Sequence, residues 1–235
     1  IKSFLIFWIF DIEIFSKIYS IYPKQKYKWL LNLAYMTLGD YPEKVPQEYF
    51  IDYYKNIEDK NVEPFREIAS YLGIDANGLS GGVSLDDFNN DGLIDIFATS
   101  YGMEDQSRLF INTGEGFKDS TSESGLNGIL GGLNCIHADY NNDGHVDILI
   151  LRGAWLGSNG NHPNSLLKNN GDGTFSDVTK SAGLLSFYPT QTASWADINN
   201  DGYLDLFIGN ESNLNQNNPC ELYINQGHGK FLEQS

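Results

Sequence analysis

Apolar positions follow two different periods along this chain. Over residues 12–22 they recur every three or four residues, which is the period of one helical face, and Pro23 ends the run. The same spacing over residues 28–38 predicts a second helix. Beyond these helices, short apolar stretches alternate with Gly- and Asn-rich turns, a pattern typical of β-strands. The pattern therefore predicts a helical segment with a connector, residues 1–64, and a β-rich domain, residues 65–235.

The helical segment permits two interpretations. The stretch WLLNLAYMTLGDYP from Trp29 resembles the first helix and turn of a tetratricopeptide repeat. A simple helical pair that packs on its surroundings fits equally well. Residues 42–64 carry three prolines and mixed charge and are expected to form the connector. Residues 1–10 are apolar, but Asp11 ends that run far short of the ~20 residues that span a bilayer, and no Ala-x-Ala-like cleavage site follows.

The β-rich domain is built from a repeated unit. Copies begin at Phe65, Phe117 and Phe175, and a fourth begins at Phe231, with spacings of 52, 58 and 56 residues. A nonapeptide, D-x-N-x-D-G-x-x-D, starts 22 residues after each of the first three phenylalanines. Most of the length variation falls in three segments, residues 101–107, 153–164 and 211–219. Four short strands per unit, with a period above about 40 residues, predict a mainly β fold, a partial β-propeller of three blades.

The nonapeptide has the donor chemistry of a hard-cation site. Side-chain oxygens stand at positions 1, 3, 5 and 9, a backbone carbonyl at position 7, and the glycine at position 6 permits a sharp turn. The predicted ligands, with the carbonyl at the fourth place of each set, are Asp87, Asn89, Asp91, Leu93 and Asp95; Asp139, Asn141, Asp143, His145 and Asp147; and Asp197, Asn199, Asp201, Tyr203 and Asp205. An all-oxygen set favours Ca²⁺ over zinc or copper, and Mg²⁺ prefers to keep several waters. We therefore expect about three Ca²⁺ sites, one for each nonapeptide.

Two other kinds of loop have sequences similar to the nonapeptide, namely the EF-hand loop and the Asx-rich turn without metal. An EF-hand needs a bidentate Glu at position 12 of its loop, where this chain has Ala98, Ile150 and Ile208. An Asx-rich turn without metal explains a single copy. Three copies in register, each with carboxylates that repel one another across nine residues, favour a bound cation.

The three loops, the LFIN/LYIN strand and the F-x-D-x-T-x-x-x-G-L turn resemble FG-GAP (VCBS-type) repeats, the blades of integrin-α-like propellers. They are most similar to those of bacterial proteins related to the cartilage acidic protein family. The resemblance covers residues 65–235. It implies a calcium-binding propeller of about seven or eight blades that binds other macromolecules and has no established catalytic activity. It also implies an extracellular, periplasmic or cell-surface location, and a fragment of a propeller with open blade edges.

The variable segments are candidate recognition loops. In a four-stranded blade the nonapeptides, between first and second strands, lie on the opposite side from the segments between second and third strands. Candidate contacts for a protein or glycan partner are Arg152, Trp155 and His162 in the longest segment, and Asn210 and Glu211 at the third. The alternative is that Trp155 folds back over its own blade.

The charge of the chain excludes some partners. With 31 acidic and 15 basic side chains the net charge is −16, which disfavours nucleic acid and a polybasic role at a membrane surface. The acid is concentrated in the repeats, where nine aspartates are predicted cation ligands. Cys135 and Cys220 fall in no metal or redox pattern and are expected to be small buried hydrophobes.

An enzyme is the alternative function, namely a calcium-dependent polysaccharide lyase or hydrolase of which this chain is a part. Three of the four histidines align with unlike residues in the other copies. His162 has no Ser, Cys or paired carboxylate at a recognisable spacing, and no G-x-S-x-G motif occurs. The sequence therefore predicts no catalytic residue.

Overall fold

The computed structural model describes residues 2–52, 65–214 and 216–234, and only the backbone of residues 2–11. The chain separates into two compact units, Ile1–Arg66 and Glu67–Ser235. The predicted connector over residues 42–64 lies partly outside the described residues.

The first unit contains two helices, α1 (Lys2–Ile21) and α2 (Gln25–Thr37). Both helices that the periodicity predicts are present, and α1 starts earlier than expected because the apolar run before Asp11 is helical as well. Within the described ranges, neither these helices nor the later helical turns have the length and apolarity needed to cross a bilayer. The tetratricopeptide interpretation stays a prediction.

An asparagine joins α2 to the chain that follows it. Asn32 is fully buried beside Leu31 and Ala34. Its Nδ2 donates to the carbonyl of Tyr49 at 2.6 Å, and its Oδ1 accepts the N–H of Ile51 at 3.0 Å. Because a buried amide costs free energy unless it is paired, these bonds fix residues 49–51 against the helix.

The second unit consists of three four-stranded antiparallel sheets, in each of which successive strands pair. We call these sheets blades 1, 2 and 3. Blade 1 contains β1 (Ser80–Asp86), β2 (Asp95–Ser100), β3 (Arg108–Asn112) and β4 (Phe117–Asp119). Blade 2 contains β5 (Asn134–Ala138), β6 (Asp147–Leu151), β7 (Ser165–Asn169) and β8 (Phe175–Asp177). Blade 3 contains β9 (Thr190–Ala196), β10 (Asp205–Asn210), β11 (Glu221–Asn225) and β12 (Phe231–Glu233).

Short helical turns lie before the first strand and between later strands. They are α3 (Ala69–Leu72), α4 (Thr179–Ala182) and a 3-10 turn, Gly157–Asn159. Both α3 and α4 end at a glycine with positive φ, Gly73 and Gly183, where a left-handed residue closes the helix.

The blades are offset from the sequence repeats. Phe117, Phe175 and Phe231 each begin the fourth strand of a blade. Phe231 therefore completes blade 3, and the strand that it opens belongs to no fourth blade. The offset arises because a repeat can be counted from any point of its period, whereas backbone hydrogen bonds decide which strands share a sheet.

Blade 2 is buried on both of its faces. In β6, Ile148 and Ile150 join a core with blade 1, whereas Leu149 and Leu151 join a core with blade 3. Successive side chains of a strand point to opposite faces, so a strand between two blades needs an unbroken apolar run.

The two cysteines have different environments. Cys135 is buried in the core between blades 1 and 2, and burial raises the pKa of its thiol to about 11. Cys220 is exposed, so the prediction of two buried cysteines is wrong for this residue. It directly follows the third variable segment, where Pro219 ends the loop before β11 begins at Glu221.

Candidate functional site

The three nonapeptides occupy equivalent places in the three blades. Each lies between the first and second strands, and its last aspartate is the first residue of the second strand. The variable segments lie between the second and third strands. Because strands alternate in direction, the nonapeptides and the variable segments stand at opposite ends of the strands. We call these ends the nonapeptide edge and the variable-loop edge.

Side-chain oxygens close each nonapeptide onto its own backbone. In the first copy, Asp87 Oδ1 and Asn89 Oδ1 both accept the N–H of Asp91, each at 3.0 Å. Asp87 Oδ2 accepts the N–H of Gly92 at 2.7 Å, and Asp91 Oδ1 accepts that of Leu93 at 2.8 Å. The same four bonds recur in the second and third copies. The oxygens at positions 1 and 3 therefore lie close together in every loop.

The fourth residue of each nonapeptide is an asparagine in the left-handed conformation. Asn90, Asn142 and Asn200 have φ of 59°, 58° and 60°, which asparagine adopts more readily than most residues. Asn90 Nδ2 lies 2.9 Å from His145 Nδ1, and Asn142 Nδ2 donates to the carbonyl of Gly202 at 2.9 Å. Each of these two side chains therefore contacts the next nonapeptide.

The ninth residues, Asp95, Asp147 and Asp205, are buried. In each, Oδ1 accepts a backbone N–H from the third strand of the same blade at 2.8 Å. In blades 1 and 3, Oδ2 also accepts the N–H of position 2 of the loop at 3.0 Å. These bonds join the nonapeptide to the sheet.

Asp147 is the exception among the three. Its Oδ2 is buried and makes no hydrogen bond of normal geometry, although the backbone N–H of Tyr140, at position 2 of its loop, still acts on the carboxyl as a weak donor. Burial, together with the nearby charges of Asp143 and Asp139, raises the pKa of this carboxyl to about 7, against the opposing bonds from the backbone N–H groups of Asn169 and Tyr140. Burial also raises the pKa of Asp95. A buried carboxylate oxygen without a well-formed hydrogen bond costs free energy unless a cation or a proton neutralises it.

The donor set fits a hard cation. Each loop offers three carboxylates, an amide oxygen and a backbone carbonyl, and a carboxylate oxygen that accepts one N–H keeps a second lone pair. Within the described ranges, no three Asp, Glu, His or Cys side chains lie close enough together to hold a metal ion as they stand. The residues that would hold a cation are those predicted from the nonapeptide, with the buried Asp147 Oδ2 as the clearest point of attachment.

A lysine distinguishes the second loop from the others. Lys168 of β7 places its Nζ 3.3 Å from Asp143 Oδ2. The equivalent residues of β3 and β11 are Ile111 and Ile224. In the second loop a cation would therefore share the position-5 carboxylate with an ammonium group.

Arg152 does not lie on the surface. It is buried, and its guanidinium donates to the carbonyls of Leu130 and Pro163 at 2.8 and 3.0 Å and to Ser165 Oγ at 2.8 Å. Burial lowers the pKa of this guanidinium. The prediction that Arg152 contacts a partner is wrong, because the arginine satisfies carbonyls at the base of its own loop.

Trp155 is exposed on the variable-loop edge, with 62% of its surface accessible, so it does not fold back over its blade. Its backbone N–H donates to Glu211 Oε2 at 2.5 Å, and its ring centroid lies 6.5 Å from that of Tyr101. These three residues come from the three variable segments, one from each blade. The structure thus brings together two predicted residues, Trp155 and Glu211, with a tyrosine that the sequence analysis did not select.

The other two candidates on this edge have local partners. Asn210 Nδ2 donates to the carbonyl of Pro219 and to Glu221 Oε2, each at 2.8 Å, which holds the third variable segment closed. His162 is half-buried, and its backbone N–H donates to the carbonyl of Gly160 at 2.8 Å. Their contacts are those of residues that shape a loop.

His137 faces the first strand of the neighbouring blade. Its Nε2 lies 3.2 Å from Asp86 Oδ2, and its ring meets Phe88 edge-on at a centroid distance of 6.3 Å. The pair joins β5 to β1. Leu85 and Trp195 occupy the equivalent place in blades 1 and 3, so the pairing is specific to blade 2.

Sequence reasoning missed an asparagine that repeats in the third strands. Asn169 Nδ2 donates to the carbonyl of Phe88 in blade 1 at 2.8 Å, and Asn225 Nδ2 donates to that of Tyr140 in blade 2 at 2.9 Å. Each bond runs from one blade to position 2 of the preceding nonapeptide. The signal was the asparagine shared by LFIN, LLKN and LYIN, which the sequence analysis treated only as a strand marker.

These features define the class of protein. It is a repeat protein built from four-stranded antiparallel blades of the propeller type, each with an acidic nonapeptide between its first two strands. The FG-GAP-like repeat family model matches residues 87–150 and 139–208, together just over half of the chain. The chain belongs to the FG-GAP-like repeat family.

Cartilage acidic protein 1 of Xenopus tropicalis is a relative. It is 34% identical to this chain over 104 residues, which are 44% of this chain and 14% of the relative. The match therefore spans about one seventh of the relative's length.

Proposed function

We propose that this chain is a Ca²⁺-binding recognition module, in which the nonapeptides hold the ions and the variable-loop edge binds a protein or glycan partner. One observation carries the calcium proposal: the same oxygen donors recur in the three blades, and in the middle blade they include a buried carboxylate oxygen that makes no hydrogen bond of normal geometry. A bound cation would neutralise the carboxylates and connect the start of each loop to its end.

The blade architecture supports a structural role for the nonapeptide edge and a recognition role for the variable-loop edge. The nonapeptides are alike in all three blades and bond to one another, which suits a structural role. The variable segments differ in length and sequence, and loops of that kind carry specificity on a rigid scaffold. The proposal also places the module extracellularly, in the periplasm or at the cell surface, where the weak Ca²⁺ affinity of a loop without a bidentate Glu, about micromolar to millimolar, is sufficient.

Calcium binding is tested on the full chain by isothermal titration, with Mg²⁺ as the competing ion. We expect saturable Ca²⁺ binding and a melting temperature that falls when a chelator is added. Each site should stabilise the folded chain by about 2.7 kcal/mol when free Ca²⁺ is about 100-fold above Kd. A melting curve that is the same with Ca²⁺ and with chelator would exclude the proposal.

A pair of variants assigns the sites. Asp201→Ala removes the position-5 carboxylate of the third loop and should lower the stoichiometry by about one Ca²⁺ per chain. Asp172→Ala is the control, because Asp172 is an exposed aspartate in the turn between β7 and β8, outside any nonapeptide. Equal losses in the two variants would show that the ions bind the acidic surface without using the loops.

A further inference from the structure

Trp155 has an unusual backbone. Its φ is 68°, in the left-handed region that a bulky aromatic residue rarely adopts. The conformation is held from the next blade, because Glu211 accepts the Trp155 N–H and donates its own N–H to the carbonyl of Pro189 at 2.8 Å. Backbone strain that the surroundings maintain is concentrated at functional sites in proteins.

Burial of the Trp155 indole does not offset the free-energy cost of this backbone conformation. Most of the Trp155 side chain faces solvent, and its one described ring neighbour is Tyr101, tilted by 51°. The strained backbone therefore holds an exposed tryptophan beside a half-buried tyrosine, at the point where the variable segments of the three blades meet. An exposed tryptophan held in one orientation is a common anchor of binding sites.

The second and third variable segments, which supply Trp155 and its partner Glu211, are rich in amides and hydroxyls. Gln216 Nε2 donates to Asn161 Oδ1 at 3.2 Å, which links the second and third variable segments. An open groove of about 690 Å³ begins two residues after Trp155, lined by Gly157, Ser158, Asn213, Leu214 and Gln216. Amide groups both donate and accept hydrogen bonds, as sugar hydroxyls do.

Charge selects among glycans. The variable segments, residues 101–107, 153–164 and 211–219, contain no Lys or Arg, and they contain three acids, Glu104, Asp105 and Glu211. The arginine that precedes the second segment is buried and donates inward. Uronate or sulfate groups would meet no Lys or Arg in these segments, and Arg108, which follows the first segment, is paired with Asp119 at 2.8 Å, so the acids of the segments would repel such groups.

We propose that Trp155 and Tyr101 form the stacking surface of a binding site for an uncharged carbohydrate, with the amides of the second and third variable segments as its hydrogen-bonding rim. The assignment rests on the proposed recognition role of the variable-loop edge. The apolar C–H face of a sugar ring packs on an aromatic ring, while its hydroxyls require donors and acceptors around it.

The test uses the full chain in Ca²⁺ on an array of immobilised neutral oligosaccharides, namely cellohexaose, mannohexaose and N-acetylchitohexaose, beside polygalacturonate and heparin. Retention on at least one neutral glycan and on neither anionic polymer is expected. Retention on no neutral glycan, or on the anionic polymers alone, overturns the assignment.

Variants separate binding from folding. Trp155→Gly removes the ring but suits the positive φ, so the melting temperature should be unchanged or higher while glycan affinity falls more than about tenfold. Trp155→Phe should retain most of the binding, and Trp29→Ala, an exposed tryptophan of α2, should retain all of it. Equal glycan binding by Trp155→Gly and the unmodified chain overturns the assignment. If the unmodified chain binds Ca²⁺ but is retained on no glycan, this inference alone is overturned. If the unmodified chain does not bind Ca²⁺, the calcium part of the proposed function is overturned.

Discussion

Single residues make the three nonapeptides unequal. The oxygen donors repeat in all three copies, but Lys168 adds an ammonium group 3.3 Å from the position-5 carboxylate of the second loop. That loop also contains the buried Asp147 Oδ2, which makes no hydrogen bond of normal geometry. The second loop therefore combines the strongest need for a positive charge with a lysine that partly supplies it at the neighbouring carboxylate.

Replacing the lysine should strengthen calcium binding at one site. Lys168→Ile installs the residue found at the equivalent places of blades 1 and 3 and frees Asp143. Because a half-exposed ion pair contributes about 0.2–1 kcal/mol, we expect the affinity of one site to rise by up to about fivefold, measured by isothermal titration.

Lys118→Ile is the control for charge. Lys118 of β4, in blade 1, pairs with Glu123, which belongs to no nonapeptide, so this variant removes the same charge from a different blade. If both variants raise the affinity equally, the effect comes from net charge and the pairing with Asp143 is irrelevant.

At the scale of elements, the third strands connect each blade to the nonapeptide before it. The asparagine that ends β7 uses its backbone N–H for Asp147 Oδ1, its Nδ2 for two carbonyls, and its Oδ1 for the N–H of Gly171. Asn225 of β11 makes the corresponding set of bonds. One buried residue thus joins the nonapeptide of its own blade to the nonapeptide of the preceding blade.

The corresponding asparagine of blade 1 provides a matched comparison. Asn112 Nδ2 donates to the carbonyl of Ile94 within its own blade, without a described partner in another blade. Asn169→Ala leaves the buried carbonyl of Phe88 unpaired, which costs about 1–3 kcal/mol beyond the cost of Asn112→Ala. We expect its melting temperature to fall further by roughly 2–4 °C for each kcal/mol. Equal melting temperatures for the two variants would mean that the bond between blades contributes nothing.

At the scale of the whole β-rich unit, the end blades keep apolar faces that the middle blade buries. Val83 of β1 is 58% exposed, whereas Cys135, its equivalent in blade 2, is 4% exposed. Phe207 of β10 is 45% exposed, whereas the equivalent Leu149 is 1% exposed. The outer faces of blades 1 and 3 therefore carry apolar residues at positions whose equivalents are buried on the two faces of blade 2. Large exposed apolar faces of this kind are typical of interaction surfaces.

Exposed faces of this kind should drive association between copies. We expect the sedimentation coefficient of the chain to rise with concentration, and Val83→Lys or Phe207→Lys to abolish that rise because a charge blocks apolar packing. Ser176→Lys, at an exposed polar position of β8, should leave it unchanged. A chain that stays monomeric at all concentrations would show that these faces do not associate in solution.

The sequence by itself determined the features that depend on neighbouring residues. Two helices, three blades and the equivalence of the nonapeptides follow from local periodicity and from a repeat that the chain carries three times.

Only the tertiary structure decided what depends on residues far apart in the chain. The inward course of Arg152, the exposure of Cys220, and the meeting of Tyr101, Trp155 and Glu211 were not predictable, because each depends on which loops the packed blades bring together. The asparagines of the third strands are the intermediate case: their repetition was visible, but their partners lie more than eighty residues away. Side-chain packing between blades selects those partners, and no local pattern records it.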